Sequence, residues 1–102
     1  MAWTRLAQEN EIAEGEVVGR EAAGVQVALY RDRGEVFATS NVCTHQYALL
    51  SEGYFEDGCI ECPLHQGTFD IRTGRAQCAP LTEDLRVFPV KVEEGQVFVD
   101  LA

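Results

Sequence analysis

Most of the soft metal ligands of this chain lie in one short stretch, CTHQYALLSEGYFEDGCIECPLH, which runs from residue 43 to residue 65. The chain has four cysteines and two histidines, and this stretch holds three of the cysteines and both histidines. The ligands form two close pairs, Cys43-x-His45 and Cys62-x-x-His65. Thiolate and imidazole ligands in such pairs suit a tetrahedral metal ion or an iron–sulfur cluster. We therefore expect two loops that each offer one thiolate and one imidazole.

The rest of the chain has the pattern of a β protein. Short apolar segments alternate with turn signals such as Ala23-Gly24 and Glu94-Gly95, while helical periodicity is scarce. The sequence therefore predicts an all-β fold. The predicted strands are Trp3–Leu6, Glu16–Ala22, Val25–Arg31, Glu35–Ser40, Cys59–Glu61, Thr68–Ile71, Leu85–Glu93 and Gln96–Leu101.

The distribution of these strands predicts how the domain is organised. A chain of 102 residues forms one domain with a modest core. Strand-like segments dominate its two ends, and turn signals dominate its middle. We expect a single domain, residues 1–102, in which a basal β scaffold (1–40 and 81–102) carries a loop-rich subdomain (41–80) that binds the metal.

Charge and hydropathy exclude several classes of partner. A net charge of -9 argues against nucleic acid and against an anionic membrane surface. The apolar runs are too short to span a bilayer, and the first residues, MAWTR, do not read as a secretory signal. We expect a cytoplasmic monomer. Cysteines in the cytoplasm serve as metal ligands or free thiols more often than they form disulfides.

The ligand motif resembles that of the Rieske [2Fe–2S] family. The matching residues are CTH at 43–45 and CPLHQG at 62–67, and the likeness extends to the closing VFPVKVEEGQVFVDL. The LSEG segment at 50–53 is similar to the small ferredoxins of bacterial ring-hydroxylating dioxygenases. The resemblance implies a Rieske-type antiparallel β-sandwich with an inserted loop-rich cluster-binding subdomain. It also implies one [2Fe–2S] cluster, with one iron bound by Cys43 and Cys62 and the other by His45 and His65.

The resemblance implies a function as well. Such a ferredoxin is not itself an enzyme. It is a one-electron carrier that takes electrons from a flavin-dependent NAD(P)H ferredoxin reductase and passes them to the terminal oxygenase of an aromatic-ring-hydroxylating dioxygenase. Both proteins are therefore expected partners.

The sequence departs from the Rieske proteins of quinol oxidation at four positions. Those relatives carry two further cysteines, which form a disulfide between the cluster loops, where this chain has Ala48 and Leu64. They also carry a serine and a tyrosine, which donate hydrogen bonds to the cluster, where this chain has Gly67 and Phe69. Because these donors are missing, we expect a potential at the low end of the Rieske range, roughly -150 to +300 mV.

The resemblance suggests lesser roles for three more residues. Pro80, with Gly74 and Ala76, resembles a third loop that covers the cluster in this family. The alternative is an ordinary surface turn. Gln46 and Gln66 each follow a ligand histidine, near the expected exposed edge. Each glutamine is either solvated surface or part of a docking contact.

Several other residues have structural interpretations. Cys59 forms Cys-x-x-Cys with Cys62, but its apolar position after a turn favours a buried structural thiol, and Cys78 is expected to be another free thiol. Tyr47 and Tyr54 are expected to pack over the cluster, with a contact to a partner as the alternative. Aromatic residues of the strands are expected in the core, namely Trp3, Phe37, Phe88 and Phe98.

Two other functions compete with the electron carrier. A structural Cys2His2 zinc module is one, although the single residue between Cys43 and His45 is tight for a zinc knuckle. A small Rieske subunit of another reductase, such as nitrite reductase, is the other. An oxygenase would need a second iron held by two histidines and a carboxylate, and the chain has no histidine left for it.

Overall fold

The computed structural model describes residues 2–44, 48–64, 67–77 and 83–102. Within these residues ten strands form three sheets in which every pairing is antiparallel. The helical segments described are the single turns Glu9–Glu11 and Leu50–Glu52, and neither could cross a membrane. The structure confirms the all-β prediction. The strands are β1 (Trp3–Gln8), β2 (Val17–Ala22), β3 (Val25–Asp32), β4 (Glu35–Ser40), β5 (Tyr54–Glu56), β6 (Cys59–Glu61), β7 (Thr68–Asp70), β8 (Val87–Phe88), β9 (Val90–Glu93) and β10 (Gln96–Asp100).

Four of the hairpins turn in the same way. Each has a two-residue loop that ends in glycine, and both residues of the loop have positive φ. This is the type I′ geometry, whose twist matches that of the flanking strands and whose second position favours glycine. Local sequence alone therefore places these turns. They are Ala23-Gly24, Arg33-Gly34, Asp57-Gly58 and Glu94-Gly95.

Two of the sheets form a sandwich. One has the strand order β1-β10-β9 and the other the order β2-β3-β4-β8. Buried side chains from both sheets form one apolar cluster, which we call the scaffold core. It consists of Leu6, Ala7, Ile12, Val27, Leu29, Ala38, Phe88, Val97 and Val99.

The predicted strand Leu85–Glu93 is two short strands in different sheets. β8 pairs with β4, whereas β9 pairs with β10. Pro89 lies between them, and proline has no N–H with which to continue a ladder. Its carbonyl accepts a hydrogen bond from the N–H of Asp100 at 3.0 Å. The chain therefore passes from one sheet to the other at this residue.

Strand β3 is buried on both of its faces. Val27 and Leu29 point into the scaffold core, and Ala28 and Tyr30 point into a second apolar cluster on the other side. A continuous apolar run is typical of such a strand, whereas alternation would indicate one solvated face. β3 thus joins the scaffold to the region that contains the ligand motif.

The third sheet lies in that region and has the order β5-β6-β7. The inner face of this sheet carries Phe55, Ile60 and Phe69. Ile60 and Phe69 belong to the second apolar cluster, and Phe55 packs against it. β6 and β7 were expected from the sequence, but the three-residue strand β5 was not. The division into a basal scaffold (1–40 and 81–102) and a cluster-binding subdomain (41–80) stays a prediction.

Candidate metal centre

Cys43 and Cys62 each begin a six-residue hairpin loop. The first loop, residues 43–48, lies between the paired residues Val42 and Leu49. The second loop, residues 62–67, lies between the paired residues Glu61 and Thr68. In both loops the cysteine N–H donates to the carbonyl five residues later, at 3.0 Å in the first loop and 2.8 Å in the second. The two halves of the ligand motif thus have matching backbone frames.

Both cysteines lie inside the second apolar cluster, which we call the site core. Cys43 is 4% exposed and Cys62 is 0% exposed. Because each loop starts at a buried cysteine, its first residue is fixed by the packing of the domain. The site core consists of Ala28, Tyr30, Cys43, Ala48, Leu50, Ile60, Cys62, Phe69, Ile71 and Leu85.

Asn41 holds the base of the first loop, and sequence reasoning missed it. The residue is buried, and its backbone N–H donates to Gln26 of β3 at 2.9 Å. Its side chain donates to the hydroxyl of Ser51 at 3.0 Å and accepts from the N–H of Ser51 at 2.8 Å. No sequence signal distinguishes this residue from an ordinary loop asparagine, since its partners lie at residues 26 and 51.

Gly53 follows the first loop in the chain and lies next to Glu61, the residue before the second loop. The sequence predicted Gly53 only as part of the LSEG motif. A Cβ atom on Gly53 would lie 2.0 Å from the carbonyl oxygen of Glu61 and 3.2 Å from that of Leu50. Both obstacles are backbone, so a side chain cannot be accommodated by rotation of a neighbour. The glycine therefore permits close contact between the two halves of the site.

The other predicted ligands and cover residues lie outside the described residues. These are His45, Gln46, His65, Gln66 and Pro80, together with Tyr47 and Cys78. The structure thus places the two cysteines that were predicted as ligands in one buried cluster. The assignment of all four ligands stays a prediction. Within the loops, His45 is two residues after Cys43 and His65 is three residues after Cys62.

The described residues on either side of 78–82, in the third loop, are bonded to the first ligand loop and to the strand after the second. At its start, the N–H of Gln77 donates to the carbonyl of Thr68 at 2.9 Å, just beyond the second loop. At its end, the hydroxyl of Thr44 in the first loop donates to the carbonyl of Glu83 at 3.0 Å. Gln77 and Glu83 are therefore each bonded close to a different ligand loop.

Two hydrogen bonds join the segment at 74–76 to the segment at 84–85, on either side of the third loop's undescribed residues. The N–H of Leu85 donates to the carbonyl of Gly74 at 2.7 Å, and the N–H of Ala76 donates to a carboxylate oxygen of Asp84 at 2.9 Å. Gly74 has a φ of 79°, and a Cβ there would lie 2.2 Å from the carbonyl oxygen of Leu85. Gly74 is therefore needed for this close approach. Its role in a loop that covers the cluster stays a prediction.

The four positions that differ from the quinol-oxidising relatives have varied surroundings. Ala48 and Gly67 are buried at the closing ends of the two loops, where their carbonyls accept the cysteine N–H groups. Phe69 is buried in the site core. Leu64, in contrast, is 60% exposed at the tip of the second loop. An apolar side chain thus faces solvent next to the ligand motif.

Cys59 is not the buried thiol that the sequence suggested. It is only partly buried on the outer face of β6, and its thiol donates to the side-chain oxygen of Gln77 at 3.1 Å. Desolvation raises the pKa of the Cys59 thiol, and the carboxylates of Asp70 and Asp57 raise it further. The prediction failed because the apolar neighbour Ile60 occupies the inward position of this short strand.

The aromatic predictions were correct only in part. Tyr54 is 59% exposed, and its packing over the cluster stays a prediction. Phe88 is buried, but Trp3 and Phe98 are half-buried on the outer sheet face, where the Lys91 ammonium lies 4.6 Å and 5.7 Å from their ring centroids. Phe37 is half-buried beneath the guanidinium of Arg72.

The segment of the chain that contains the ligand loops is acidic in sequence. Residues 34–71 include no lysine or arginine but six acids. Four of the acids are exposed, and Glu61 and Asp70 are half-buried. This surface favours a cationic partner and repels an anionic one. The six acids are Glu35, Glu52, Glu56, Asp57, Glu61 and Asp70.

The residues at the site fit an iron–sulfur cluster. Two buried thiols open two equal loops, and each loop carries one histidine in its sequence. An apolar site core around thiolate ligands excludes water, which is one of the conditions that set a cluster's potential. A nucleic-acid-binding zinc module, in contrast, would be poorly served by the acidic surroundings.

Comparison with known families and relatives agrees with this fit. The model of the family "Rieske [2Fe-2S] domain" matches residues 2–89. The ferredoxin component of the naphthalene 1,2-dioxygenase system of Pseudomonas putida is 47% identical over 100 residues, which cover 98% of this chain and 96% of the relative. The anthranilate 1,2-dioxygenase ferredoxin subunit of Burkholderia cepacia is 48% identical over 99 residues, with coverage of 97% and 92%.

Solved structures have the same fold. The ferredoxin of carbazole 1,9a-dioxygenase from Nocardioides aromaticivorans IC177 superimposes with a TM-score of 0.92 at 34% identity and covers 97% of each chain. A chain from a complex of reduced oxygenase and oxidized ferredoxin in carbazole 1,9a-dioxygenase matches with a TM-score of 0.90 at 37% identity, with coverage of 95% and 91%. A nitrite reductase small subunit from Mycobacterium tuberculosis matches with a TM-score of 0.87 at 28% identity, with coverage of 99% and 96%.

Proposed function

The chain belongs to the Rieske [2Fe–2S] domain family, and from this premise we propose that it is the ferredoxin component of a bacterial aromatic-ring-hydroxylating dioxygenase system. Its cofactor is one [2Fe–2S] cluster. The observation that carries the proposal is the pair of buried cysteines, each of which opens a six-residue loop with a histidine in its sequence. The relatives that share nearly the full length of this chain are ferredoxins of such systems.

Four residues would hold the cluster in this proposal. Cys43 and Cys62 would bind one iron, and His45 and His65 would bind the other. When bound, a cluster of this type takes up and gives back one electron, at potentials of roughly -150 to +300 mV. The cysteine positions lie deep in the site core, which keeps water from that side of the centre. The absence of hydroxyl donors at Gly67 and Phe69 favours the low end of this range.

The chain itself catalyses no reaction in this proposal. It carries electrons from a flavin-dependent NAD(P)H ferredoxin reductase to the terminal oxygenase, in the cytoplasm and as a monomer. A complex of oxygenase and ferredoxin is known for the carbazole system, which supports the oxygenase as a partner. Gln46, Gln66 and Pro80 are proposed as cover or docking residues beside the loops.

The alternative of a nitrite reductase small subunit has weaker support. The matching subunit is 28% identical, whereas the dioxygenase ferredoxins reach 47% and 48% over nearly the full chain. A reconstituted electron-transfer chain separates the two functions. The loaded protein should accept electrons from a flavin-dependent ferredoxin reductase and support turnover by a ring-hydroxylating oxygenase. Support of a nitrite reductase, without support of any oxygenase, would favour the alternative.

The metal content tests the site directly. The purified protein should contain about two irons and two acid-labile sulfides per chain, the composition of one [2Fe–2S] cluster, and no stoichiometric zinc. A colourless protein with one zinc per chain would overturn both the cluster and the electron carrier.

The acidic residues of this segment predict how the association with the partners depends on salt. Exposed carboxylates such as Glu52 and Glu56 should steer association with cationic patches on the reductase and the oxygenase. Electron-transfer rates in stopped flow should therefore fall as ionic strength rises and the Debye length shrinks. Rates that do not depend on salt would show that the acids serve only to keep the surface solvated.

A further inference from the structure

The outer face of the β5-β6-β7 sheet carries two rows of polar and aromatic side chains. Alternate residues of a strand point to opposite faces of a sheet, so the residues between the inward apolar ones lie on the outer face. The register places them in rows across the three strands. The row next to the second ligand loop is Tyr54, Glu61 and Thr68, and the row behind it is Glu56, Cys59 and Asp70.

A shallow groove of about 240 Å³ lies on this face. Tyr54 lines the groove and is largely open to solvent, since the residue is 59% exposed. Two of the other polar groups are paired with each other, because the thiol of Cys59 donates to the side-chain oxygen of Gln77 at 3.1 Å. The groove is lined by Tyr54, Glu56, Cys59, Glu61, Thr68 and Gln77.

The two glutamates of the groove have no cation beside them in the part of the chain that the structure describes. Glu56 and Glu61 belong to none of the ion pairs found among those residues. Desolvation raises the pKa of the Cys59 thiol in the same groove, and the carboxylates of Asp70 and Asp57 raise it further. The potential on this face is therefore negative and favours a cationic ligand.

Another site in the chain shows how a ring and a carboxylate bind one cation together. The guanidinium carbon of Arg72 lies 4.5 Å from the ring centroid of Phe37, and one of its nitrogens lies 2.9 Å from a carboxylate oxygen of Asp32. Tyr54 and Glu61 offer the same two groups, because they are paired across β5 and β6. Side chains at paired positions have Cβ atoms about 5 Å apart, a distance that one guanidinium can span. Among the described residues, no cation stacks on Tyr54.

Arginine fits this pair of groups better than lysine does. Its guanidinium is planar, so it can stack on an aromatic ring while its edge donates to a carboxylate. The ammonium of lysine is compact and strongly hydrated, and it has no flat surface to stack.

We propose that the groove binds an arginine side chain of the terminal oxygenase, which stacks on Tyr54 and pairs with Glu61. The inference rests on the proposed function and adds a short-range anchor to the long-range steering. We assign the arginine to the oxygenase because a complex of oxygenase and ferredoxin is known for the carbazole system. Glu61 immediately precedes Cys62, so a partner at the second loop lies beside the groove.

The main test compares Tyr54→Leu with Tyr54→Phe in the loaded protein. Leucine removes the ring, whereas phenylalanine keeps it. Dissociation from a ring-hydroxylating oxygenase, measured by surface plasmon resonance, should be about 2- to 5-fold faster in Tyr54→Leu, which corresponds to the roughly 0.5–1 kcal/mol of an exposed cation–π contact. The ratio should be the same at low and high salt, because the substitution changes no charge. Tyr54→Phe should behave like the wild type.

Glu61→Gln tests the other half of the contact. It should also accelerate dissociation, and its effect should be smaller in the Tyr54→Leu background, because both residues hold the same guanidinium. Glu16→Gln is the matched control, since it removes the same charge from an exposed residue outside this sheet and should leave the dissociation rate unchanged. The visible spectrum of each variant shows whether its cluster is intact.

Cys59 reports on the groove in the wild type. Saturating oxygenase should slow its alkylation by iodoacetamide at mildly alkaline pH, measured by mass spectrometry of the Cys59 peptide. Unchanged alkylation, equal dissociation rates in Tyr54→Leu and the wild type, or an effect of Tyr54→Leu on the reductase alone would overturn the inference. Failure of the proposed function is distinct, since the loaded wild type would then transfer no electrons to the oxygenase.

Discussion

The loop that begins at Cys43 and the loop that begins at Cys62 have the same length and the same closing hydrogen bond, but they are held in different ways. The second loop extends a regular hairpin in which β6 and β7 pair at three positions. The first loop is closed by the isolated bridge between Val42 and Leu49. Its attachment to the scaffold depends on the backbone and side chain of Asn41, and its contact with the third loop depends on Thr44.

This difference shows two ways to support one site. A backbone ladder tolerates most side chains, because its hydrogen bonds are made by groups that every residue except proline carries. The bridge between Val42 and Leu49 is flanked by one backbone bond on each side and is not part of a regular ladder, so the side-chain hydrogen bonds of Asn41 add to what holds the loop. We therefore expect single substitutions around the first loop to affect the site more than those along β6 and β7.

The largest effect is expected at the ligands themselves, where the two loops should be equal. His45→Ala and His65→Ala should each abolish the native cluster, because each removes a proposed ligand to the same iron. Iron content and the visible spectrum of the purified variants provide the measurement. A native spectrum in either variant would show that the histidine is not a ligand.

The second-largest effect is expected at Gly53, where the two halves of the site are in contact, and it concerns the stability of the protein. Gly53→Ala places a methyl group 2.0 Å from the carbonyl oxygen of Glu61, so the backbone must shift. Such overpacking costs about 1–3 kcal/mol, and the rigid backbone obstacle favours the upper end. The apparent melting temperature of the loaded protein should fall by roughly 10–20 °C at a fixed scan rate.

Gly19→Ala is the matched control for this substitution. Its Cβ would meet side-chain atoms, the Ser51 hydroxyl at 2.8 Å and the Asn41 amide nitrogen at 2.9 Å. Both obstacles are side-chain atoms that can shift, at the cost of a weaker Asn41–Ser51 hydrogen bond, so the melting temperature should fall, but less than in Gly53→Ala. Equal losses would contradict the importance of the backbone contact at Gly53.

A smaller effect is expected from Asn41→Ala, which tests the first loop alone. The change leaves the N–H of Ser51 without its side-chain acceptor in a partly buried position. An unsatisfied group of this kind costs about 1–3 kcal/mol, here toward the lower end because Ser51 is only half-buried. Cluster loss should also be faster. Gln26→Ala removes an exposed side-chain bond to Glu21 and should cost less than about 0.5 kcal/mol.

The smallest effect on the cluster is expected at Cys59, which lies in β6, the strand that leads into the second loop. Cys59→Ala and Cys78→Ala should leave the visible spectrum intact, because neither residue is a proposed ligand. Burial and nearby carboxylates raise the pKa of the Cys59 thiol, so at neutral pH it should react with iodoacetamide more slowly than a free cysteine. The rate should increase as the pH rises toward that pKa. Fast alkylation at neutral pH would contradict this pKa.

Local signals in the sequence predicted much of the fold. The turns Ala23-Gly24 and Glu94-Gly95 fall where expected, and the strands β2, β3 and β4 agree with the predicted segments to within one residue at each end. The short strand β5 was missed, because three residues carry too little pattern to be recognised. The exposure of Tyr54 was also missed, since a strand pattern does not say which face is solvated.

The sequence by itself determined the candidate ligands, their spacing and the membership of the family, because these depend on motifs whose residues are near one another in the chain. Tertiary structure decided how the loops are held. Asn41 depends on residues 26 and 51, Gly53 on the carbonyl of Glu61, and Thr44 on Glu83. Only the folded chain brings these groups within hydrogen-bonding or van der Waals distance, so neither periodicity nor motif could reveal them.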